Sequence, residues 1–270
     1  MNTFSHSLAR IAVWNLAGYG GIDPDSERAL NQAEGLALLD AELVTLVEVN
    51  PLSHIDRLVQ LLHEKYGIQY EQAIVKQPNS NLHIGLLYKP GVDVKEVRLL
   101  PGTEGTYGSG RQALRADICI GKFRAALIGV HLKSGRDRPE QQLRDSQCIA
   151  IGQHIDQLRA TPGQKQRTVL LMGDFNMIPG QDVSNFHHLG GDDVMDFVSC
   201  WDLQDRFSHI LKQGRANLLD GFAVSRTYST DYVRGSLRLF PMHWTMGLGR
   251  EAFREQVSDH LPFVASFRIY

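Results

Sequence analysis

The sequence predicts an α/β fold in which two mixed β-sheets pack face to face with helices on their outer sides. Amphipathic helical stripes alternate with short, strongly apolar strands along the chain. Between residues 82 and 131 the strand-like segments follow one another without a helix, a meander that a purely parallel sheet does not contain. With no internal repeat, low-complexity stretch or linker, residues 1–270 read as one domain.

Ile11-Ala-Val-Trp14 is a short buried strand ending at Asn15 and a loop rich in glycine (Gly18, Gly20, Gly21). From Ser26 to Asp40, the residues Ala29, Leu30, Ala33, Ala37 and Leu38 form a helical stripe, with Asp25 or Ser26 as N-cap. Leu43-Val-Thr-Leu-Val47 is a strand carrying Glu48 at its end, and Leu52, Ile55, Leu58, Val59 and Leu62 describe a second amphipathic helix. Strands follow at 82–88, 92–99, 113–120 and 123–131. A helix then runs from Pro139 to Ala160 through Leu143, Ile151, Ile155 and Leu158, with proline at its entry. Thr168-Val-Leu-Leu-Met172 leads into Gly173-Asp174-Phe175-Asn176, and the last clear strands are 218–224 and 261–269.

Composition narrows the function. Hydrophobic residues make up 43% and charged residues 21%, which excludes disorder and coiled coil. Twenty-eight basic against 30 acidic residues give a net charge of −2, so any binding of phosphate is local rather than the work of a basic surface. Cys119, Cys148 and Cys200 make no C-x-x-C pair, excluding a zinc cluster or disulfide framework and implying reduced, buried thiols. No apolar run approaches the roughly 20 residues of a membrane span, and the first ten residues lack a signal-peptide core. A cytoplasmic monomer is expected.

Several apolar strands end in polar residues: Asn15, Glu48, His131, Asp174 with Asn176, and Asp259 with His260 before the last strand. Taken singly, each is a turn former, cap or rim residue. Taken together, charged groups at the ends of buried strands need partners or a ligand. Hard oxygen ligands such as Glu48, Asp174 and Asp259 suit Mg²⁺ or Mn²⁺, and two histidines can move protons or steady developing charge.

At these residues the sequence resembles the endonuclease/exonuclease/phosphatase superfamily, which includes deoxyribonuclease I. The matching segments are Val13-Trp-Asn15, Leu46-Val-Glu48-Val, Gly85-Leu-Leu-Tyr88, Val130-His-Leu-Lys-Ser134, Met172-Gly-Asp-Phe-Asn176 and Ser258-Asp-His260-Leu-Pro262, in the family's order. The resemblance implies a four-layer α/β sandwich and a Mg²⁺- or Mn²⁺-dependent phosphoesterase. By the same resemblance, Glu48 is the principal metal ligand with Asn15 beside it, and Asp259 a metal-side carboxylate. Asp174 orients the attacking water, Asn176 holds the phosphate, and His131 and His260 serve the phosphate and its transition state. Ala17 and Val47 stand where relatives commonly carry an acidic residue and a glutamine.

In this family an aspartate on a late strand hydrogen-bonds the terminal histidine. Asp220, in the apolar strand Leu218-Leu-Asp220-Gly-Phe-Ala-Val224, is the choice over its rival Asp231 in Thr230-Asp231-Tyr232-Val233.

Arg111 and Lys133, with Arg115, Arg136 and Arg138 close by, form a candidate substrate-binding rim, for which solvated loop charges are the plain alternative. Gly105 to Gly110 is glycine-rich but is followed by Arg111 where a phosphate-binding P-loop needs lysine. Trp14 reads as core, and Trp201 and Trp244 as core or base-stacking platforms. The segment from Arg226 to Arg250 matches nothing in the family pattern and is the expected specificity insert. The expected substrate is a phosphate ester, most naturally a phosphodiester of nucleic acid. The alternatives are a phosphatase or phospholipase-type hydrolase of small metabolites or lipid headgroups, and a catalytically silent phosphate-binding module.

Overall fold

The computed structural model describes residues 7–106, 110–161, 167–191, 194–197, 207–211, 216–226 and 230–270. Cys200 and Trp201 lie outside them. In chain order the elements are β1 (Leu8–Asn15), α1 (Glu27–Leu39), β2 (Leu43–Val49), α2 (Ser53–Tyr66), β3 (Glu71–Val75), β4 (His83–Tyr88), β5 (Val92–Leu99), β6 (Leu114–Ile120) and β7 (Phe123–His131). They continue with α3 (Arg138–Ala160), β8 (Thr168–Asp174), α4 (Val183–His188), β9 (Met195–Phe197), β10 (His209–Ile210), β11 (Ala216–Asn217) and β12 (Asp220–Ser225). The chain closes with β13 (Arg238–Leu239), α5 (Met242–Thr245), α6 (Arg250–Gln256) and β14 (Phe263–Arg268).

Among the described residues these strands form two six-stranded sheets, ordered β13-β14-β1-β2-β4-β3 and β5-β6-β7-β8-β12-β9, with β10 and β11 as a separate pair. Each large sheet is antiparallel except for one central parallel pair, β1 with β2 and β7 with β8. The sheets face each other. Thr45 on β2 donates its hydroxyl to Met172 Sδ on β8, 3.2 Å away, and Gly129 on β7 leaves space that Thr45 and Ile84 fill.

Alternation sorts the side chains into layers. On β8, Leu170 and Met172 join the core between the sheets, whereas Val169 and Leu171 pack with Cys148, Ile151 and Ile155 of α3 on the outside. On the first sheet, Gly85 approaches Ile55 of α2, and Trp14 approaches Gly35 of α1. The four layers are α1 and α2, first sheet, second sheet, α3 and α4. Full burial of each core aliphatic such as Ile151 is worth about 1.5–3 kcal/mol.

Local signals set the helix ends. Ser26 caps α1 by accepting from Ala29 N, and at the α3 entry Glu140 reaches back to Asp137 N at 3.2 Å. Among the described residues no helix is long and apolar enough to cross a membrane.

Among its described residues the segment from 226 to 250 supplies β13, an edge strand on β14, and α5, and it buries Leu237, Leu239 and Met242 in the core. One expectation changes. Of the cysteines, Cys148 is buried but Cys119 is only half-buried, because its position on β6 alternates away from the core.

Candidate active site

The two central parallel pairs end side by side, and their last residues meet across the inter-sheet core. Asn15 lies one step past Val13 on β1. His131, Asp174 and Asp220 continue the inward-facing rows of Leu127 and Gly129, of Leu170 and Met172, and of Phe222 and Val224. Register places Asp174 opposite both His131 and Asp220. Alternation would turn Glu48 outward with Leu46. A register irregularity between Leu46 and Val49, together with φ 60° at Glu48, instead brings its carboxylate to Asn15 and His131. Of the five non-glycine residues with positive φ among the described residues, three (Ala17, Glu48 and Asn176) sit in this site. Such strain persists only where surrounding contacts over-determine it.

Asp174 is the hub. Its Oδ2 accepts from Asn15 Nδ2 at 3.1 Å and lies 3.8 Å from His131 Nε2 and 4.0 Å from His260 Nε2, while its Oδ1 accepts from Asn176 N at 2.9 Å. Glu48 Oε1 lies 3.3 Å from Asn15 Nδ2 and 3.4 Å from His131 Nε2, and its Oε2 accepts from Tyr19 N at 3.2 Å. Asn176 donates Nδ2 to Leu132 O at 3.1 Å. His260 Nδ1 is 2.6 Å from Asp220 Oδ2, so Asp220 makes the contact for which Asp231 was the rival; the Asp231 carbonyl instead accepts from Arg268 N. The His260 backbone is fixed as well, because Trp14 Nε1 donates to its carbonyl and its N–H donates to Ser258 Oγ, which in turn donates to Asn15 O.

The electrostatics separate the two histidines. Burial, with Arg111 and His260 nearby, drives His131 well below its usual range and keeps it neutral. Burial would lower His260 too, but Asp220 first, then Asp174 and Asp259, outweigh it and raise its pKa to about 10. Burial and the neighbouring Asp220 push Asp174 up to about 7. A neutral and a protonated imidazole thus flank one buried carboxylate, an arrangement suited to divided acid–base roles.

The remaining expected residues surround this group. Asp259 lies with its Oδ1 3.8 Å from His260 Nε2 and its Oδ2 3.6 Å from His209 Nε2, a trio that shares His260 with the hub, while Glu48 groups with His131 and Asp174. Burial would raise the Asp259 pKa, but His209 and His260 bring it down to about 2. Arg111 spends its Nε and Nη2 on the carbonyls of His131 and Leu132, at 3.0 and 2.8 Å, and so holds the end of β7. Lys133 pairs with Glu140 at 3.3 Å, away from the hub.

Sequence reasoning missed four residues. His209 stacks on His260 with ring centroids 4.6 Å apart, and Ser208 Oγ accepts from both Leu219 N and Asp220 N at 3.0 Å. From α1, Gln32 Nε2 donates to Leu16 O and Val257 O, both at 2.8 Å, and Arg28 Nε donates to Val257 O at 3.0 Å. The two residues join the loop after Asn15 to the segment before His260. A two-residue strand offers no period by which to find His209. Gln32 did carry a signal, being a polar residue on the buried face with Ala29, Ala33 and Leu36.

The donor set suits a divalent cation. Two carboxylates, Glu48 and Asp174, share a single amide donor, and among the described residues neither has a lysine or arginine ion-pair partner. Oxygen-rich sites of this kind match Mg²⁺ or Mn²⁺.

No protein-family profile and no curated protein matches the chain. Solved structures do. TDP2 of D. rerio, crystallised with a single-strand DNA product, aligns at TM-score 0.70 and 18% identity over 97% of this chain and 100% of that one. An endonuclease/exonuclease/phosphatase from Bacteroides vulgatus aligns at TM-score 0.69 and 15% identity, covering 98% and 100% of the two chains. The human Nocturnin catalytic domain with bound sulfate aligns at 0.67 and 16%, covering 97% and 94%. With two sheets whose central parallel pairs converge on one acidic and imidazole cluster, this chain has the fold of the endonuclease/exonuclease/phosphatase superfamily.

Proposed function

We propose that the protein is a divalent-metal-dependent hydrolase of phosphodiester bonds in nucleic acid. The observation that carries this reading is the placement of His260, held by Asp220 at 2.6 Å, beside the buried Asp174 and the Glu48–Asn15 pair. The solved relative bound to a DNA product supports nucleic acid as the substrate class.

Each residue has a task in in-line attack. Asp174, its Oδ1 fixed by the Asn176 N–H, aligns a water and takes its proton, a role favoured by the upward push that burial and Asp220 give its pKa. His260 presents a charged Nε2–H to a non-bridging phosphate oxygen, and Asp220 keeps the ring protonated and oriented. His131, neutral, offers a hydrogen bond to the same phosphate, and Asn176, whose Nδ2 donates to the carbonyl of Leu132, has its side-chain oxygen left to position a ligand rather than bind it by charge. Glu48, with Asn15 alongside, would hold Mg²⁺ or Mn²⁺, which would supply charge neutralisation to the phosphate.

The test is a metal-supplemented panel of plasmid DNA, single-stranded RNA, abasic duplex, sphingomyelin and inositol phosphates, with His260→Ala as the control against contaminating activity. Cleavage of nucleic acid that chelator abolishes and Mg²⁺ or Mn²⁺ restores is expected. Full turnover in excess chelator, or turnover confined to the lipid or inositol phosphates, would overturn the reading.

A further inference from the structure

An aromatic side chain stands in water at the edge of the site. Tyr19 is 87% exposed, the most exposed large hydrophobic among the described residues. Its backbone is firmly held. Gly21 N donates to Gly18 O at 2.9 Å, closing a turn with Tyr19 at its first corner and Gly20, at φ 91°, at its second. Asn50 Nδ2 donates to the same Gly18 carbonyl at 3.0 Å, and Ile22 N donates to Asn50 O at 2.8 Å. Gly18 itself has no room for a side chain, since an added Cβ would lie 1.9 Å from Glu48 O. Tyr19 N donates to Glu48 Oε2 at 3.2 Å, which sets the ring one residue's reach from the carboxylate proposed to hold the cation.

A turn anchored on both sides cannot fold this ring back into the core, and the ring adds nothing to the packing of the fold. A solvated aromatic face carried on a firmly held backbone beside a phosphodiester site is what a flat base stacks on. We infer that Tyr19 is the stacking platform for the nucleobase next to the scissile phosphate, which directs the site to unpaired strands whose bases can turn out. The inference rests on the nucleic-acid reading above and deepens it. Stacking of this kind tolerates any base, so the residue selects single strands over duplex rather than one sequence over another.

The experiment compares wild type, Tyr19→Phe and Tyr19→Ala on a single-stranded oligonucleotide and on the same strand with an abasic residue flanking the cleaved bond. Binding of labelled strands, read by fluorescence anisotropy, accompanies kcat/KM with Mg²⁺. On the intact strand Y19A should lose about 5- to 150-fold in kcat/KM, chiefly through KM, the range that base–aromatic stacks reach under alanine substitution. Y19F should retain wild-type behaviour. Wild type should suffer a similar loss when the base is removed, and the gap between wild type and Y19A should close on the abasic strand. Equal losses by Y19A on both strands would mean that the loop, not the stack, was disturbed, and would overturn the inference. So would an unchanged Y19A on the intact strand. If wild type neither binds nor cleaves any oligonucleotide, the nucleic-acid reading falls and the stack falls with it, an outcome distinct from the other two.

Discussion

Acidification should weaken the protein through one buried imidazole behind the site. His54 is fully buried, with Nε2 2.7 Å from Gln32 Oε1. Both of Gln32's other contacts are donations from Nε2, so Oε1 is the acceptor and His54 Nε2 carries the hydrogen. Its Nδ1 has no hydrogen-bond partner among the described residues, leaving nothing to welcome a second proton. Burial first, and the positive charge of Arg28 second, lower the His54 pKa from 6.5 to about 4. The unfolded chain therefore takes up this proton near pH 6.5 while the folded protein refuses it until near pH 4. Between those values the unfolded state binds more protons, so stability is full above about pH 7.5 and falls as pH drops. Linkage gives a loss of about 2 kcal/mol at pH 5 and about 3 kcal/mol below pH 4. The assay is urea unfolding of wild type and His54→Gln, whose amide can still donate to Gln32 but does not titrate, at steps from pH 8 to pH 5. Other groups titrate in both proteins and cancel in the difference. The stability advantage of wild type over H54Q should shrink by about 2 kcal/mol across that range. Parallel curves would refute the reasoning.

Two further outcomes are expected. Asp220→Asn should lower kcat by about 10²- to 10⁴-fold because His260 loses the carboxylate that orients and charges it, whereas Asp231→Asn should change it little; equal kcat values for the two variants would remove Asp220 from its role. Gly18→Ala should cost about 1–3 kcal/mol in thermal unfolding and reduce turnover, since the new methyl meets Glu48 O at 1.9 Å, and a variant matching wild type in both would show that the loop can yield.

Much of the site was legible in the residues themselves. A buried strand announces itself by apolar alternation, and a polar residue closing such a strand conflicts with its surroundings in a way that needs no neighbour to be noticed. Asn15, His131, Asp174 and Asp220 each end or begin an inward-facing apolar row, so the place of each at the core-facing end of its own strand follows from local pattern. Asp220 prevailed over Asp231 on the same ground, an apolar strand against a polar one. Trp14 was legible as core, and it is 1% exposed.

Other features belonged to the tertiary structure. Alternation turns Glu48 outward, and only the irregular register between β2 and β4, with its positive φ, aims the carboxylate at His131. Asp259 and Glu48 looked alike as strand-end acids, yet the path of the chain before the last strand sets Asp259 between His209 and His260, while Glu48 reaches Asn15 and His131. Gln32 and Arg28 act on carbonyls more than two hundred residues away in sequence, and Arg111 on the backbone of β7. Backbone carbonyls are the same at every position, so no residue pattern records which of them a side chain will meet. Periodicity fixes the face on which a side chain lies because it depends only on near neighbours along one strand or helix. What the side chain touches depends on how the two sheets are stacked and staggered, which is settled by the packing of the whole core.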